Sequence, residues 1–205
     1  MAEIIKQGTC GKNGDNLTWT LDDEGLLTIS GEGEMDYGYD RFLDSFRPSP
    51  FENNTNIIKV EISYGVTNIA SSAFAGCEAL TKIEIPNSVT EIGLNAFSGC
   101  DALTSIEIPN SVTSIESWAF YGCEALTSIE IPNSVTNIGY GAFALCEALT
   151  NLHIRCEHPE DLEIDEEAFY KTNIENCTLY VPIRTGYAYR HHPVFSKFKE
   201  VIIEK

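Results

Sequence analysis

Three groups of side chains in this sequence are of types that do chemistry. His153, Cys156 and His158 fall within the run HIRCEH, and two imidazoles with a thiolate are three of the four ligands of a tetrahedral zinc site. The spacing matches no standard finger, and the fourth ligand would have to come from afar, with Cys177 as the available sulfur. Cys156 could also anchor a thiol-dependent hydrolase, which requires a thiolate beside a base in a cleft. No neighbouring residue in the sequence marks it as activated. No residue is therefore expected to be catalytic or to bind a metal, and no cofactor is expected.

The second group is acidic. Glu61, Glu84, Glu107 and Glu130 recur every 23 residues, and Glu78, Asp101, Glu124 and Glu147 form a parallel series. If equivalent positions stack as neighbouring strands, the carboxylates of a series lie about 4.8 Å apart. At that separation two of them repel by roughly 0.9 kcal/mol in water and about 3.5 kcal/mol at an effective dielectric of 20. A cationic partner or Ca²⁺ would relieve the repulsion. The simpler reading is a solvated face screened by Lys59 and Lys82. No EF-hand or glycine-aspartate roll motif is present, so weak cation binding is the most that the pattern supports.

The third group is aromatic: Trp118, Tyr121 and Tyr140. They fall at or beside positions where otherwise near-identical segments differ, namely Leu94 and Asn95, then Ser117 and Trp118, then Tyr140 and Gly141. Exposed Trp and Tyr on a rigid frame serve as interface anchors. Packing against adjacent segments is the competing role for the same rings.

The elements that position these groups are set by repetition. Thr81 to Leu103 reads TKIEIPNSVTEIGLNAFSGCDAL, Thr104 to Leu126 reads TSIEIPNSVTSIESWAFYGCEAL, and Thr127 to Leu149 reads TSIEIPNSVTNIGYGAFALCEAL, with a looser copy from Ile58 to Leu80. Self-similarity at this period means stacked coils. Within a coil, Ile83 and Ile85 flank Glu84 as a short strand with isoleucines inward and the glutamate outward. Pro86-Asn87-Ser88 turns the chain, Val89 and Ile92 give a second inward pair, and the spacing of Ala96, Phe97 and Cys100 predicts one or two helical turns. Cys77, Cys100, Cys123 and Cys146 recur at the period and read as a buried ladder of small apolar fillers. Parallel side-chain vectors at strand spacing do not suit a disulfide.

Outside the repeats the periodicity loosens. Leu17 to Leu21 and Leu26 to Ser30 predict a β-hairpin, and Phe42, Phe46, Pro48, Pro50 and Phe51 lie in an aperiodic stretch from Tyr37 to Asn56 that would close over the first coil. After Leu149 the run CEHPED, Cys156 to Asp161, reads as a bulge, because Phe169 follows Phe143 by 26 residues instead of 23. Leu179 to Pro182 predicts a last strand, Tyr187 to Phe198 a helix and Val201 to Ile203 a closing strand. The expected organisation is an N-terminal β cap over 1–56, a solenoid over 57–182 and a C-terminal α/β cap over 183–205.

The formal charge of −18, from 13 basic and 31 acidic residues, argues against a nucleic-acid partner, since phosphate binding draws on clustered Lys and Arg. No apolar run is long enough to insert in a membrane, and the N-terminal residues do not read as a secretory signal.

The recurring segment IEIPNSVTxIxxxAFxxCxxL, preceded by GTCG and LTWTLDxxGLLTISGEGEM and followed by CTLYVP, resembles the bacterial BspA-like leucine-rich repeat proteins. The likeness covers nearly the whole chain. It implies a leucine-rich repeat solenoid, right-handed and either α/β or mostly β. It also implies a non-enzymatic protein-binding or adhesion module on a bacterial surface or in secreted form, with host or cell-surface proteins as partners. Such a location requires that a signal has been removed. The resemblance transfers no catalytic residue. The candidate contact residues are Glu61, Glu84, Glu107, Glu130, Trp118, Tyr121 and Tyr140. The alternatives are an enzyme centred on Cys156 or a spacer that presents another domain.

Overall fold

The computed structural model describes residues 2–36, 38–40 and 45–204. Of the aromatic residues expected to close the N-terminal end, Tyr37, Phe42 and the Phe46 side chain lie outside the described residues.

The chain is a stack of coils built mostly from short strands. Alternation fixes the main wall: Ile106 and Ile129 point inward while Glu107 and Glu130 point out, and the two strands pair in parallel at the repeat register, Ile106 to Ile129 and Glu107 to Glu130. This wall begins with an antiparallel meander, Ile4–Gly11, Gly14–Asp22 and Leu26–Gly31, one strand longer than the hairpin expected from sequence. Leu26–Gly31 then pairs in parallel with Lys59–Ile62, so the meander continues directly into the coils. Farther along, Ser105–Glu107, Ser128–Ile131, Asn151–Ile154, Thr178–Val181 and Glu200–Ile203 follow one another as parallel neighbours. A second ladder on another side of each coil joins Asn68–Ile69, Glu91–Ile92, Ser114–Ile115, Asn137–Ile138 and Glu163–Ile164.

The main wall is interrupted once. Lys82–Glu84 and Ser105–Glu107 face each other without ladder hydrogen bonds, which divides the wall into two five-stranded sheets. In neighbouring coils the amide and hydroxyl of Thr81 both donate to the Ile58 carbonyl, and those of Thr127 to the Thr104 carbonyl. The matching bonds from Thr104 to Thr81 are missing among the described residues. The second ladder stays closed across the same junction, with Glu91 opposite Ser114. Thr104 to Val112 has the same sequence as Thr127 to Val135, and the strand across the opening differs from it only at Lys82, which stands where this coil has Ser105.

The Ala-Phe-Cys segment is not helical. Its bonds are turn bonds, Ala96 N to Gly93 O, Ser98 N to Asn95 O and Cys100 N to Phe97 O. Asn95 (φ 55°) and Gly99 (φ 68°) are left-handed, and a right-handed helix cannot pass through such residues. The amides between the turn bonds reach the next coil instead: Asn95 N donates to Ser117 O at 3.1 Å, Phe97 N to Ala119 O at 2.7 Å and Gly99 N to Tyr121 O at 2.7 Å. The two left-handed positions recur, at Ser72, Asn95, Trp118 and Gly141 and at Gly76, Gly99, Gly122, Leu145 and Lys171.

Inside the stack a column of phenylalanines, Phe51, Phe74, Phe97, Phe120, Phe143 and Phe169, has ring centroids 5.3 to 5.6 Å apart and planes within 15° of parallel. The column starts at Phe51, and the bulge Cys156 to Asp161, which includes the 3₁₀ turn Pro159–Asp161, absorbs the extra residues before Phe169 without breaking it. Beside the column run the repeat cysteines, fully buried. Each thiol donates to a phenylalanine carbonyl of the preceding coil: Cys77 to Phe51, Cys100 to Phe74, Cys123 to Phe97 and Cys146 to Phe120, at 3.1 to 3.2 Å. In the next coil the Thr172 hydroxyl makes the same bond to Phe143 O. The cysteines are therefore donors that give each of these buried carbonyls a second hydrogen bond beside its turn bond, a role that the filler reading omits.

Toward the C-terminus the predicted helix is shorter than expected, Gly186–His191 followed by the 3₁₀ turn Phe195–Lys197. No helix of the described residues is long and apolar enough to cross a membrane.

Replacing Cys123 tests the donor role. Cys123→Ala and Cys123→Ser both remove the sulfur, but only serine can still bond to Phe97 O. Urea denaturation should show the serine variant more stable than the alanine variant by about 1 kcal/mol; equal stabilities would make the cysteines fillers after all.

Candidate functional site

The aromatic candidates form one patch. Trp118 occupies the recurrent left-handed position with φ 60°, a conformation that costs an L-residue roughly 1 to 2 kcal/mol. Its ring meets Tyr121 edge-on at 5.2 Å and Tyr140 at 4.7 Å between centroids. Beneath it lies Gly141, where a Cβ would come within 2.5 Å of Trp118 Cε3 and Cζ3. The indole thus needs glycine at 141. Trp118 is half-buried by these contacts, while Tyr121 at 36 %, Tyr140 at 41 % and Leu94 at 44 % remain exposed. Sequence reasoning found the three rings but missed Gly141 as their floor. The available signal was a glycine directly after an aromatic residue, at the position that holds Trp one coil earlier.

The carboxylate row lies on the outer face of the main wall and is largely neutralised. Lys59 Nζ is 2.5 Å from Glu61 Oε1 and 3.6 Å from Glu84 Oε1, and Lys82 Nζ is 2.8 Å from Glu84 Oε1. Glu130 receives Arg155 Nη2 at 2.6 Å, and Arg155 also pairs with Glu204. The hydrogen bond from Lys82 holds the Glu84 carboxyl below its ordinary value, and that from Arg155 does the same for Glu130. Only Glu107 of the row has no ionic partner among the described residues. Its strand separates two shallow cavities. One, of about 480 Å³, is bounded by Asn87, Asn110, Pro109, Pro132 and Glu130, and the other, of about 430 Å³, by Lys82 to Ile85. Ser105, Ile106 and Glu107 line both.

The residues of HIRCEH diverge. His153 is on the outer face, where Nδ1 lies 3.0 Å from Glu204 Oε1 and its ring stacks on Tyr180 at 4.3 Å. Cys156 points inward and is buried, and its carbonyl accepts a bond from Tyr189 Oη at 2.8 Å. His158 is exposed beside Glu160. Among the described residues no group of three or more His, Cys, Asp or Glu side chains could hold a metal ion. Burial pushes the Cys156 thiol up, away from the thiolate that a nucleophile needs. The Cys77, Cys146 and Cys177 thiols are pushed by burial to about 12.

This architecture has known relatives. The family described as BspA type leucine rich repeat region matches residues 44–175 in six copies. The chain belongs to that family. Among curated proteins none matches the sequence. Two solved structures share the fold. The T. pallidum leucine rich repeat protein TpLRR is 22 % identical, with a TM-score of 0.53 over 93 % of this chain and 97 % of that one. The pneumococcal vaccine antigen PcpA is 19 % identical, with a TM-score of 0.60 over 90 % of this chain and 47 % of that one. This BspA-type array thus spans about half the length of the pneumococcal antigen and nearly all of the treponemal protein.

The buried thiols of the array set its response to base. Their folded values lie above the ordinary thiol value, so their contribution to stability is complete below that value and is lost as pH rises toward about 12. Each loses about 1.4 kcal/mol per pH unit in this window. Melting temperature should be level from pH 7 to 8 and fall steeply above pH 9, and a thiol reagent at pH 7.5 should label the cysteines only after urea unfolding. Rapid labelling of the folded chain would overturn the assignment of buried, protonated thiols.

Proposed function

We propose that this chain is a non-enzymatic protein-binding module of a bacterial surface or secreted protein, and that it holds its partner through the Trp118, Tyr121 and Tyr140 patch. Membership of the BspA-type family supports the protein-interaction role, and the vaccine-antigen relative is consistent with exposure outside the cell. The single observation that carries the choice of surface is the backbone of Trp118. A left-handed tryptophan is costly, and at the equivalent place in other coils the chain uses Ser72, Asn95 or Gly141. Asparagine or glycine would relieve the strain, so retention of an indole there needs a return beyond the fold. Strained, non-glycine residues cluster at ligand-binding sites, and among the described left-handed residues of this chain Trp118 is the one with a large aromatic side chain.

The test is Trp118→Asn, which installs the residue of the preceding coil. The melting temperature should hold or rise, while affinity for a partner drawn from immobilised extracellular-matrix and cell-surface proteins should fall about 30-fold, the size expected for a hot spot of roughly 2 kcal/mol. Tyr140→Ala should weaken the same interaction. A variant that loses stability and keeps its partner would assign Trp118 to the frame.

A further inference from the structure

The strand Ser105–Glu107 carries three features that meet at one place. The first is charge. Along the outer face the protein supplies its own cation to Glu61, Glu84 and Glu130, from Lys59, Lys82 and Arg155. Glu107 lacks one for a sequence reason: two residues before it stands Ser105, where the two preceding coils have Lys59 and Lys82. Arg155 is committed to Glu130 and Glu204.

The second is shape. The cavities on either side of Glu107 are lined by Ile85, which is only half-buried, with Ile83, Ile106 and Ile108 buried behind it, and by a polar rim that includes Ser105, Ser128, Asn87 and Asn110. The third is the open ladder. Among the described residues it is across this junction that the Thr104 N–H and Thr81 carbonyl lack the mutual bond that their counterparts make in adjoining coils.

We propose that this groove docks an extended segment of a partner protein through one basic side chain, with arginine the best fit. The aliphatic stem would lie on Ile85 while the guanidinium meets Glu107, and backbone groups at the open junction would take up the partner's main chain. Charge complementarity selects this occupant: an overall charge of −18 attracts cations to the whole surface, and Glu107 is the carboxylate of the row left unneutralised. A divalent ion is a poorer fit, because it prefers several oxygen ligands and the flanking Glu84 and Glu130 are already engaged. The groove is on the strand wall and does not depend on the aromatic patch, so Trp118→Asn leaves it intact and either proposal can fail alone.

The probe is a capped pentapeptide with one central arginine between threonines and valines, and its neutral citrulline isostere, titrated into the ¹⁵N-labelled full chain. Amide shifts should concentrate at Thr81 to Ile85 and Thr104 to Ile108, with the arginine peptide binding about fivefold or more tightly than the citrulline one. Glu107→Gln should abolish that preference, and Glu61→Gln, whose carboxylate is already paired, should preserve it. Ser105→Lys should place an internal ammonium on Glu107, as Lys82 does for Glu84, and block the peptide while leaving the melting temperature unchanged. The proposal is overturned if the two glutamine variants weaken binding equally, if Ser105→Lys binds like the parent, or if CaCl₂ shifts these amides and the arginine peptide does not.

Discussion

The structure depends on one constraint: equivalent residues of successive coils must lie directly over one another. The bond from each ladder cysteine to a phenylalanine carbonyl one coil back expresses it most clearly. The thiol is short and buried, and it reaches its acceptor at 3.1 to 3.2 Å only if both coils hold the same turn geometry. That geometry rests in turn on left-handed residues such as Asn95 and Gly99, which let alternate amides of the Ala-Phe segment bond forward to the next coil. Ring stacking, turn shape and the thiol bond therefore fix one another. The appearance of Thr172 at the end of the series shows that the requirement is for a compact donor, and that sulfur is incidental to it.

A frame defined so completely from inside leaves the outside with little to do for stability. Positions such as 82, 105 and 128 or 95, 118 and 141 vary from coil to coil, within what the backbone accepts. This freedom has a cost, because whatever is repeated becomes a row. Repeated glutamates on parallel strands bring like charges together, and the chain offsets this with cations taken from different places: the same strand for Glu61 and Glu84, and the following coil for Glu130. Arg155 occupies the place that proline holds in Pro86, Pro109 and Pro132.

Much of the fold was legible in the sequence because periodicity is a direct image of stacking. The inward isoleucines, the outward glutamates, the aromatic rows and the terminal strand all follow from a 23-residue repeat and alternation. What was not legible depends on backbone torsion. The spacing of Ala96, Phe97 and Cys100 suits a helix, and only φ shows that Asn95 and Gly99 turn the segment into linked reverse turns. The strain at Trp118 was hidden for the same reason, since a tryptophan gives no sign in sequence of being left-handed. The HIRCEH run misled in the opposite way: its residues are close in sequence, but the strand sends His153 outward and the turn after Arg155 sends Cys156 inward. The opening between Lys82–Glu84 and Ser105–Glu107 is not announced by any break in the repeat, since the two strands differ there only by Lys82 against Ser105.

In such an array recognition has to arise where translation symmetry fails. A perfectly repeated surface offers a partner the same contacts in every register, so binding to it slides, and one register is favoured only by residues that occur once. This chain has few of them in its central coils. Trp118, with Gly141 beneath and tyrosines on both sides, breaks the pattern on the turn side, and Glu107, which has neither the lysine of the preceding coils nor the arginine that reaches Glu130, breaks it on the strand side. Both departures fall within the same coil, Thr104 to Leu126, whose inward residues Ile106, Val112, Ile115, Phe120 and Cys123 are buried as in its neighbours. A coil that shares its buried frame with its neighbours thus differs from them on the outside, as expected when the interior alone maintains the fold and the surface is released for binding.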